Sequence, residues 1–211
     1  MNRVLLGIPT RGIIHTEVIA AVASQFPDVM MTTIAPVSDA RNHLVEQFLS
    51  YPQFTHLWML DDDEVPPPMA LLSMLSLNKD VVVIDCPSKR TNKSNIFRND
   101  DGTIAASGFG CALFTRRVFE EIPSPWFSLN PRRTLEKNNG NFRFPPIDDA
   151  PENTWGGEDI NFSLKLTESN LGITEAPGIC THLEVEELQK ENRATEILNI
   201  RRYESISGSP L

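Results

Sequence analysis

Cysteine is scarce in this chain: three residues, Cys86, Cys111 and Cys180, among 211. Their odd number and wide spacing do not make a disulfide framework and fit a reducing compartment. No CxxC pair occurs, which removes the usual basis for a structural zinc site. Long apolar runs are missing as well; none approaches the roughly 20 residues that cross a bilayer as a helix. The start, Met1-Asn2-Arg3-Val4, passes directly into a strand-like run and lacks the apolar segment and small-residue cleavage site of a signal peptide. A cytoplasmic location is therefore expected. Basic residues are outnumbered, 19 Lys and Arg against 28 Asp and Glu, for a net charge of −9. That balance speaks against a general polyanion binder. The basic residues that exist are clustered, at Lys89, Arg90, Lys93 and Arg98 and again at Arg132, Arg133, Lys137 and Arg143. Each cluster reads either as a surface facing an anionic ligand or as a solvated loop. With 40% hydrophobic residues and little low complexity, the length fits one globular domain.

What the chain does have is an abrupt change of character at Phe54-Thr55-His56-Leu57-Trp58-Met59-Leu60-Asp61-Asp62-Asp63-Glu64. An apolar run between polar flanks reads as a buried strand. Such a strand delivers the residues at its C-terminal end to the rim of a sheet, where open α/β folds place ligands. Four carboxylates at one rim repel one another unless a cation lies between them, and hard divalent cations take carboxylate oxygens. In an extended chain Asp61 and Asp63 would point the same way. The competing reading is that the acids favour the start of a helix near Pro66 and Pro67.

The rest of the chain supplies context. Val4-Leu5-Leu6-Gly7-Ile8 reads as a first buried strand, ending in the turn Pro9-Thr10-Arg11-Gly12 and followed by a helix from Thr16 to Ser24. Val29 to Ile34 reads as a second strand. Ser38 or Asp39 is a good N-cap for a helix running to Leu49. Arg41 lies in that helix's first turn, where a cation opposes the dipole, which points to a role beyond helix stability. A helix from Pro67 to Leu77 and the β-branched run Val81-Val82-Val83-Ile84 complete a β-α-β-α-β-α-β order. That order predicts an α/β fold with a mostly parallel central sheet and helices on both faces. Beyond Cys86, short strands at Ser94–Arg98 and Gly102–Ala106 suggest a small antiparallel element. Gly108-Phe109-Gly110 then precedes an apolar strand, where two glycines permit close backbone approach. Residues 128–153, rich in Asn, Pro, Arg and Asp, read as a flexible loop or lid. Glu158 and Asp159 open a helix, and His182 belongs to the second of two short strands, Ile173–Ala176 and Gly178–Glu184. Residues 185–211 read as a charged C-terminal helix and a frayed tail.

Five of these segments occur together and in order: Pro9-Thr10-Arg11, Asp39-Ala40-Arg41-Asn42, Asp61-Asp62-Asp63, Gly108-Phe109-Gly110-Cys111-Ala112-Leu113 and Gly157-Glu158-Asp159-Ile160-Asn161-Phe162, with Thr181-His182-Leu183 after them. Over about residues 3–184 the chain resembles glycosyltransferases of the GT-A fold, close to the family-2-like enzymes common in bacteria and phages; a phage protein of this kind would work in the host cytoplasm. The resemblance implies a GT-A catalytic domain over 1–184 and a metal-dependent transfer of sugar from a nucleotide-sugar, such as a UDP- or GDP-sugar, to a hydroxyl. It implies that Asp63 and His182, with Asp61 near by, hold Mn²⁺ or Mg²⁺. It implies that Pro9, Thr10 and Arg11 line the nucleoside pocket, with Asp39 in the same nucleotide-binding part, and that Asp61 contacts the nucleoside while Arg41 approaches the diphosphate or base. Gly108, Phe109 and Gly110 would lie under the donor sugar, Asp62 would meet that sugar, and Asp159, or else Glu158, would be the general base. The acceptor stays open among a saccharide, a lipid-linked saccharide, a protein and modified DNA. Three other functions compete: nucleotidyl transfer on a similar fold, a non-catalytic nucleotide-binding module, and a phosphoesterase, which would need ligands for two close metals.

Overall fold

The computed structural model describes residues 2–25, 27–89, 91–129, 135–144 and 157–183. Its elements run β1 (Val4–Pro9), α1 (Thr16–Ala23), β2 (Asp28–Thr32), α2 (Val37–Ser50), β3 (His56–Leu60), β4 (Glu64–Val65), α3 (Ala70–Ser76) and β5 (Val81–Asp85). They continue with β6 (Ile96–Arg98), β7 (Ile104–Ser107), β8 (Cys111–Thr115), α4 (Arg116–Glu121), β9 (Glu136–Asn138), β10 (Asn141–Arg143), α5 (Glu158–Glu168), β11 (Ile173–Ile179) and β12 (Thr181–His182). The 128–153 segment thus includes a small β9–β10 hairpin; its remainder beyond residue 144, and the expected C-terminal helix at 185–203, lie outside the described residues.

The central sheet has eight strands in the order β2-β1-β3-β8-β5-β11-β7-β6. β8 and β7 run against the other six, so the mixed α/β sheet is mostly parallel in direction. Alternation along the strands builds two cores. Leu5, Leu57, Met59, Val81, Val83, Ala112 and Phe114 face α2, α4 and α5. Val4, Leu6, Ile8, Trp58, Leu60, Val82, Ile84 and Leu113 face α1 and α3. The first core is largely aromatic: Phe109, Phe114, Phe119, Phe127 and Phe162 pack edge-to-face, tilted or stacked.

Two local expectations fail for physical reasons. α2 takes Pro36, not Ser38 or Asp39, as its N-cap, and no side chain caps it; Ser38 is buried inside the first turn instead. α3 starts three residues later than expected, because Met69 adopts a left-handed φ of 62° after the proline run.

For function, the important feature lies at β1. Its parallel neighbours β2 and β3 sit on opposite sides of it. The chain therefore changes direction across the sheet there, and a crevice opens beyond the C-terminal ends of the strands.

Candidate functional site

A cavity of about 790 Å³ occupies that crevice. Its walls come from strand ends: Pro9 at the end of β1 with Thr10 and Arg11 beyond it, Thr33 and Ile34 after β2, Asp61, Asp62 and Asp63 after β3, Ser88 and Lys89 after β5. Val37 and Ala40 bring in the first turn of α2, and His182 closes one side. The size is that of a site for a small molecule or cofactor.

β3 ends at Leu60, so Asp61 to Asp63 form a turn and not an extended strand. The expected same-side pairing of Asp61 and Asp63 is therefore lost, and the acids turn to basic partners of their own. Asp61 accepts from Arg41 Nη2 at 2.9 and 3.2 Å. Asp62 accepts from the Arg11 backbone N–H at 3.0 Å and from Arg11 Nη2 at 2.9 Å. Asp63 Oδ2 accepts from Lys89 Nζ at 2.7 Å and from Arg11 Nη2 at 2.9 Å. Glu64 Oε1 lies 2.7 Å from His182 Nε2. The repulsion that argued for a metal is thus largely relieved by Arg11, Arg41 and Lys89, drawn from three parts of the chain, and by the contact of His182 with Glu64. Asp62, occupied by Arg11, faces the β1 turn.

His182 does not point into the core. β12 pairs with β4, setting His182 directly opposite Glu64, and its Nε2 lies 3.8 Å from Asp63 Oδ1. Its Nδ1–H donates to the Pro87 carbonyl at 2.8 Å. That leaves Nε2 as the ring's ligand atom, the arrangement in which histidines bind metals. Donor atoms of Asp63, Glu64 and His182 all lie within 4.8 Å of one another. Two carboxylates and an imidazole so placed fit Mn²⁺ or Mg²⁺. Burial disfavours a charged His182, but its hydrogen bonds to Glu64 and Pro87 and the charges of Glu64 and Asp63 outweigh this and raise its pKa. Burial likewise works against an ionised Asp63, yet Lys89, Arg11 and His182 hold its pKa below the ordinary value.

Behind the cavity sits a second cluster. Arg41 is 2% exposed, and its Nη1 also donates to the Phe109 carbonyl at 3.2 Å. Its Nε lies 3.5 Å from Glu158 and 3.8 Å from Asp159. Three carboxylates thus share one guanidinium. Burial, resisted by Arg41 and reinforced by the neighbouring acids, pushes Asp61 up to about 6 and Asp159 up to about 7. Asp159 Oδ2 accepts the Phe109 N–H at 3.2 Å, while its enclosed Oδ1 has no hydrogen-bond partner.

Of the expected site residues, Pro9, Thr10, Arg11, Asp61, Asp62, Asp63 and His182 line the cavity. Arg41 does not: it is sealed beneath the wall by its three acids. Glu158 and Asp159 flank Arg41 and lie set back from the cavity. Asp39 is exposed outside it. Phe109 is fully buried in the aromatic core, and neither Gly108 nor Gly110 lines the wall. Gly110 has another use: its carbonyl accepts the Asp61 N–H at 2.8 Å, and a Cβ there would stand 3.3 Å from Asp61 Oδ2 and 3.4 Å from Glu64 Cγ. It lets two acids approach the strand closely.

Sequence reasoning passed over Glu64 as the partner of His182 and Lys89 as the partner of Asp63. The four-acid run and the basic cluster at 89–98 were the available signals. It also missed that Glu64, Cys86 and Cys180 meet, their ligand atoms within 4.8 Å. Despite a hydrogen bond with Cys180, burial and nearby charge push the Cys86 thiol up to about 12, so it sits there as a neutral, apolar group.

Neither a protein-family model nor a curated protein sequence matches the chain. Among solved structures 90 chains match. The crystal structure of A197 from STIV superposes with a TM-score of 0.64 at 19% identity, covering 87% of each chain. CMP:2-keto-3-deoxy-manno-octonic acid synthetase complexed with CTP gives 0.48 at 10% identity, covering 94% of this chain and 100% of that one. A 4-diphosphocytidyl-2C-methyl-D-erythritol synthase from Anaerococcus prevotii DSM 20548 gives 0.39 at 8% identity, over 56% of this chain and 73% of that one. At such identity the likeness to A197 is one of fold, and the two lower-scoring neighbours add nothing to it. No helix among the described residues is long and apolar enough to cross a membrane.

Proposed function

We propose that the chain is a glycosyltransferase of the GT-A kind, moving a sugar from a nucleotide-sugar to a hydroxyl acceptor. The observation that carries this reading is the convergence of Asp63, Glu64 and His182, with Asp63 and His182 lining a nucleotide-sized cavity on the sheet's switch point and Glu64 buried behind them. Pro9, Thr10 and the loop Thr33–Ala35 offer walls for a nucleoside. Asp63, Glu64 and His182 would hold Mn²⁺ or Mg²⁺, which when bound supplies Lewis-acid stabilisation to a departing diphosphate. Arg11 and Lys89 add positive charge at the same place. Asp159, with its pKa near 7, is suited to accept a hydroxyl proton at Oδ1, the oxygen that no hydrogen bond occupies. A base poised near the working pH contributes about 10²–10⁴-fold. For Oδ1 to reach the acceptor, the Arg41 cluster must open toward the cavity when substrates bind.

A second reading, nucleotidyl transfer, is favoured by one observation: two cations on long side chains, Arg11 and Lys89, stand at the cavity, as triphosphate chemistry would use them. Product identity separates the two. Incubated with UDP-, GDP- and dTDP-sugars, Mn²⁺ and candidate acceptors, the protein is expected to release nucleoside diphosphate. Asp159→Asn is expected to keep donor binding and to lose transfer by about 10² or more. Pyrophosphate release from a nucleoside triphosphate and sugar phosphate would establish nucleotidyl transfer instead, and no turnover of any donor would leave a binding module.

A further inference from the structure

Lys89 and Arg11 do something that a plain metal site would not require. Both donate to the same oxygen, Asp63 Oδ2, at 2.7 and 2.9 Å. The opposite oxygen, Oδ1, is the one that looks toward His182. Both basic side chains line the cavity. Neither is sealed in: Lys89 and Arg11 side chains are 34% and 58% exposed. Arg11 Nη2 also donates to Asp62 Oδ1 at 2.9 Å, but Asp62 keeps the Arg11 backbone N–H at 3.0 Å when the side chain leaves. Arg41, in contrast, is sealed under the wall at 2% exposure and could not move to a ligand without stranding three acids.

We propose that Lys89 and Arg11 are a diphosphate-binding pair held in reserve on Asp63, released to the ligand's phosphates when a divalent cation takes that carboxylate. This rests on the proposed nucleotide-sugar reading and assigns Lys89 a role in it. The physical basis is charge competition. One carboxylate cannot fully satisfy an ammonium, a guanidinium and a dication at once, because like charges at such distances repel. A cation arriving alone must share Asp63 with two resident positive charges. Arriving with a diphosphate, it frees them onto anionic oxygens, where a guanidinium fork and an ammonium both bind well. Metal and diphosphate therefore help each other to bind by more than their direct contact, and the coupling is reciprocal.

The test measures Mn²⁺ binding alone, from the loss of the free-ion paramagnetic signal, and binding of uridine and guanosine diphosphates in saturating Mn²⁺, by calorimetry. Lys89→Gln is expected to tighten Mn²⁺ alone and to weaken diphosphate in saturating Mn²⁺, each on the order of 5-fold, as loss of one partly exposed charged contact allows. Lys89→Arg is expected to restore both, and Arg11→Gln to repeat the opposite-signed shifts. A purely structural residue would move both affinities the same way or neither, and either result overturns the proposal. If the wild-type protein binds neither diphosphate even with Mn²⁺, the nucleotide-sugar reading falls and this inference with it. Diphosphate binding that is intact, with same-signed shifts in the variants, sinks the inference alone.

Discussion

Arg41 sets the protonation of the site more than any acid around it. One positive charge serves Asp61, Glu158 and Asp159, so at neutral pH the cluster retains part of a proton. Asp159 keeps its proton up to about pH 7 in the folded protein, against an ordinary value of 3.8 in the open chain. Between those values the folded state binds more protons than the unfolded one, so stability falls as pH rises. The favourable contribution is complete below about pH 4 and gone once pH passes about 7. Asparagine mimics the neutral carboxyl at every pH. Urea midpoints of wild type and Asp159→Asn are therefore expected to agree near pH 4 and to separate toward pH 8, with the variant the more stable. A wild type at least as stable as the variant at pH 8 would show that Asp159 is comfortably ionised in place. None of this was legible at Arg41 in the sequence. A cation in a helix's first turn flags something unusual, but its partners lie far along the chain, Asp61 in the turn after β3 and Glu158 and Asp159 at the start of α5.

Among the elements, α2 shows how a helix end is satisfied from elsewhere. Its last turn carries no basic residue. Arg116, at the start of α4, donates to the carbonyls of Phe48, Leu49, Tyr51 and Phe54 at 2.7–3.3 Å, and its guanidinium lies 4.6 Å from the Phe48 ring centroid. Helix C-termini welcome a cation, and their last carbonyls need donors. Arg116→Ala is expected to cost about 1–3 kcal/mol in chemical denaturation, with Arg116→Lys recovering only part, since an ammonium cannot fork across four carbonyls. A cost near zero would mean water replaces the guanidinium freely. Element length explains what could be read in advance. Val81–Asp85 and Val4–Pro9 announce themselves by continuous apolar composition. β4 and β12 have two residues each, too few for any periodicity, and yet their pairing is what sets His182 against Glu64. β11 was legible only in pieces, because Pro177 and Gly178 interrupt a strand that runs on to Ile179.

At the scale of the molecule, the alternation of strand and helix foretold a layered α/β fold, and the two cores on opposite faces of the sheet bear that out. The same alternation did not foretell β8, which inserts antiparallel between β3 and β5, just after the Gly110 carbonyl that meets Asp61. Likewise, the acid run after β3 marks one wall of the cavity, but repulsion among the acids does not by itself call for a metal, because Arg11, Arg41 and Lys89 balance their charge in three dimensions. What still points to a metal is narrower: two carboxylates and an imidazole anchored through Nδ1 to the Pro87 carbonyl, with converging donor atoms. That claim has a direct test, the affinity of uridine and guanosine diphosphates with and without Mn²⁺, in the wild-type protein and in Asp63→Ala. At least one diphosphate is expected to bind the wild type about 10-fold or more tightly with Mn²⁺ present, the scale on which metal-site changes act, and Asp63→Ala is expected to erase that gain. Affinities indifferent to Mn²⁺ in the wild type, or a gain that survives in Asp63→Ala, would contradict a metal centre at Asp63, Glu64 and His182.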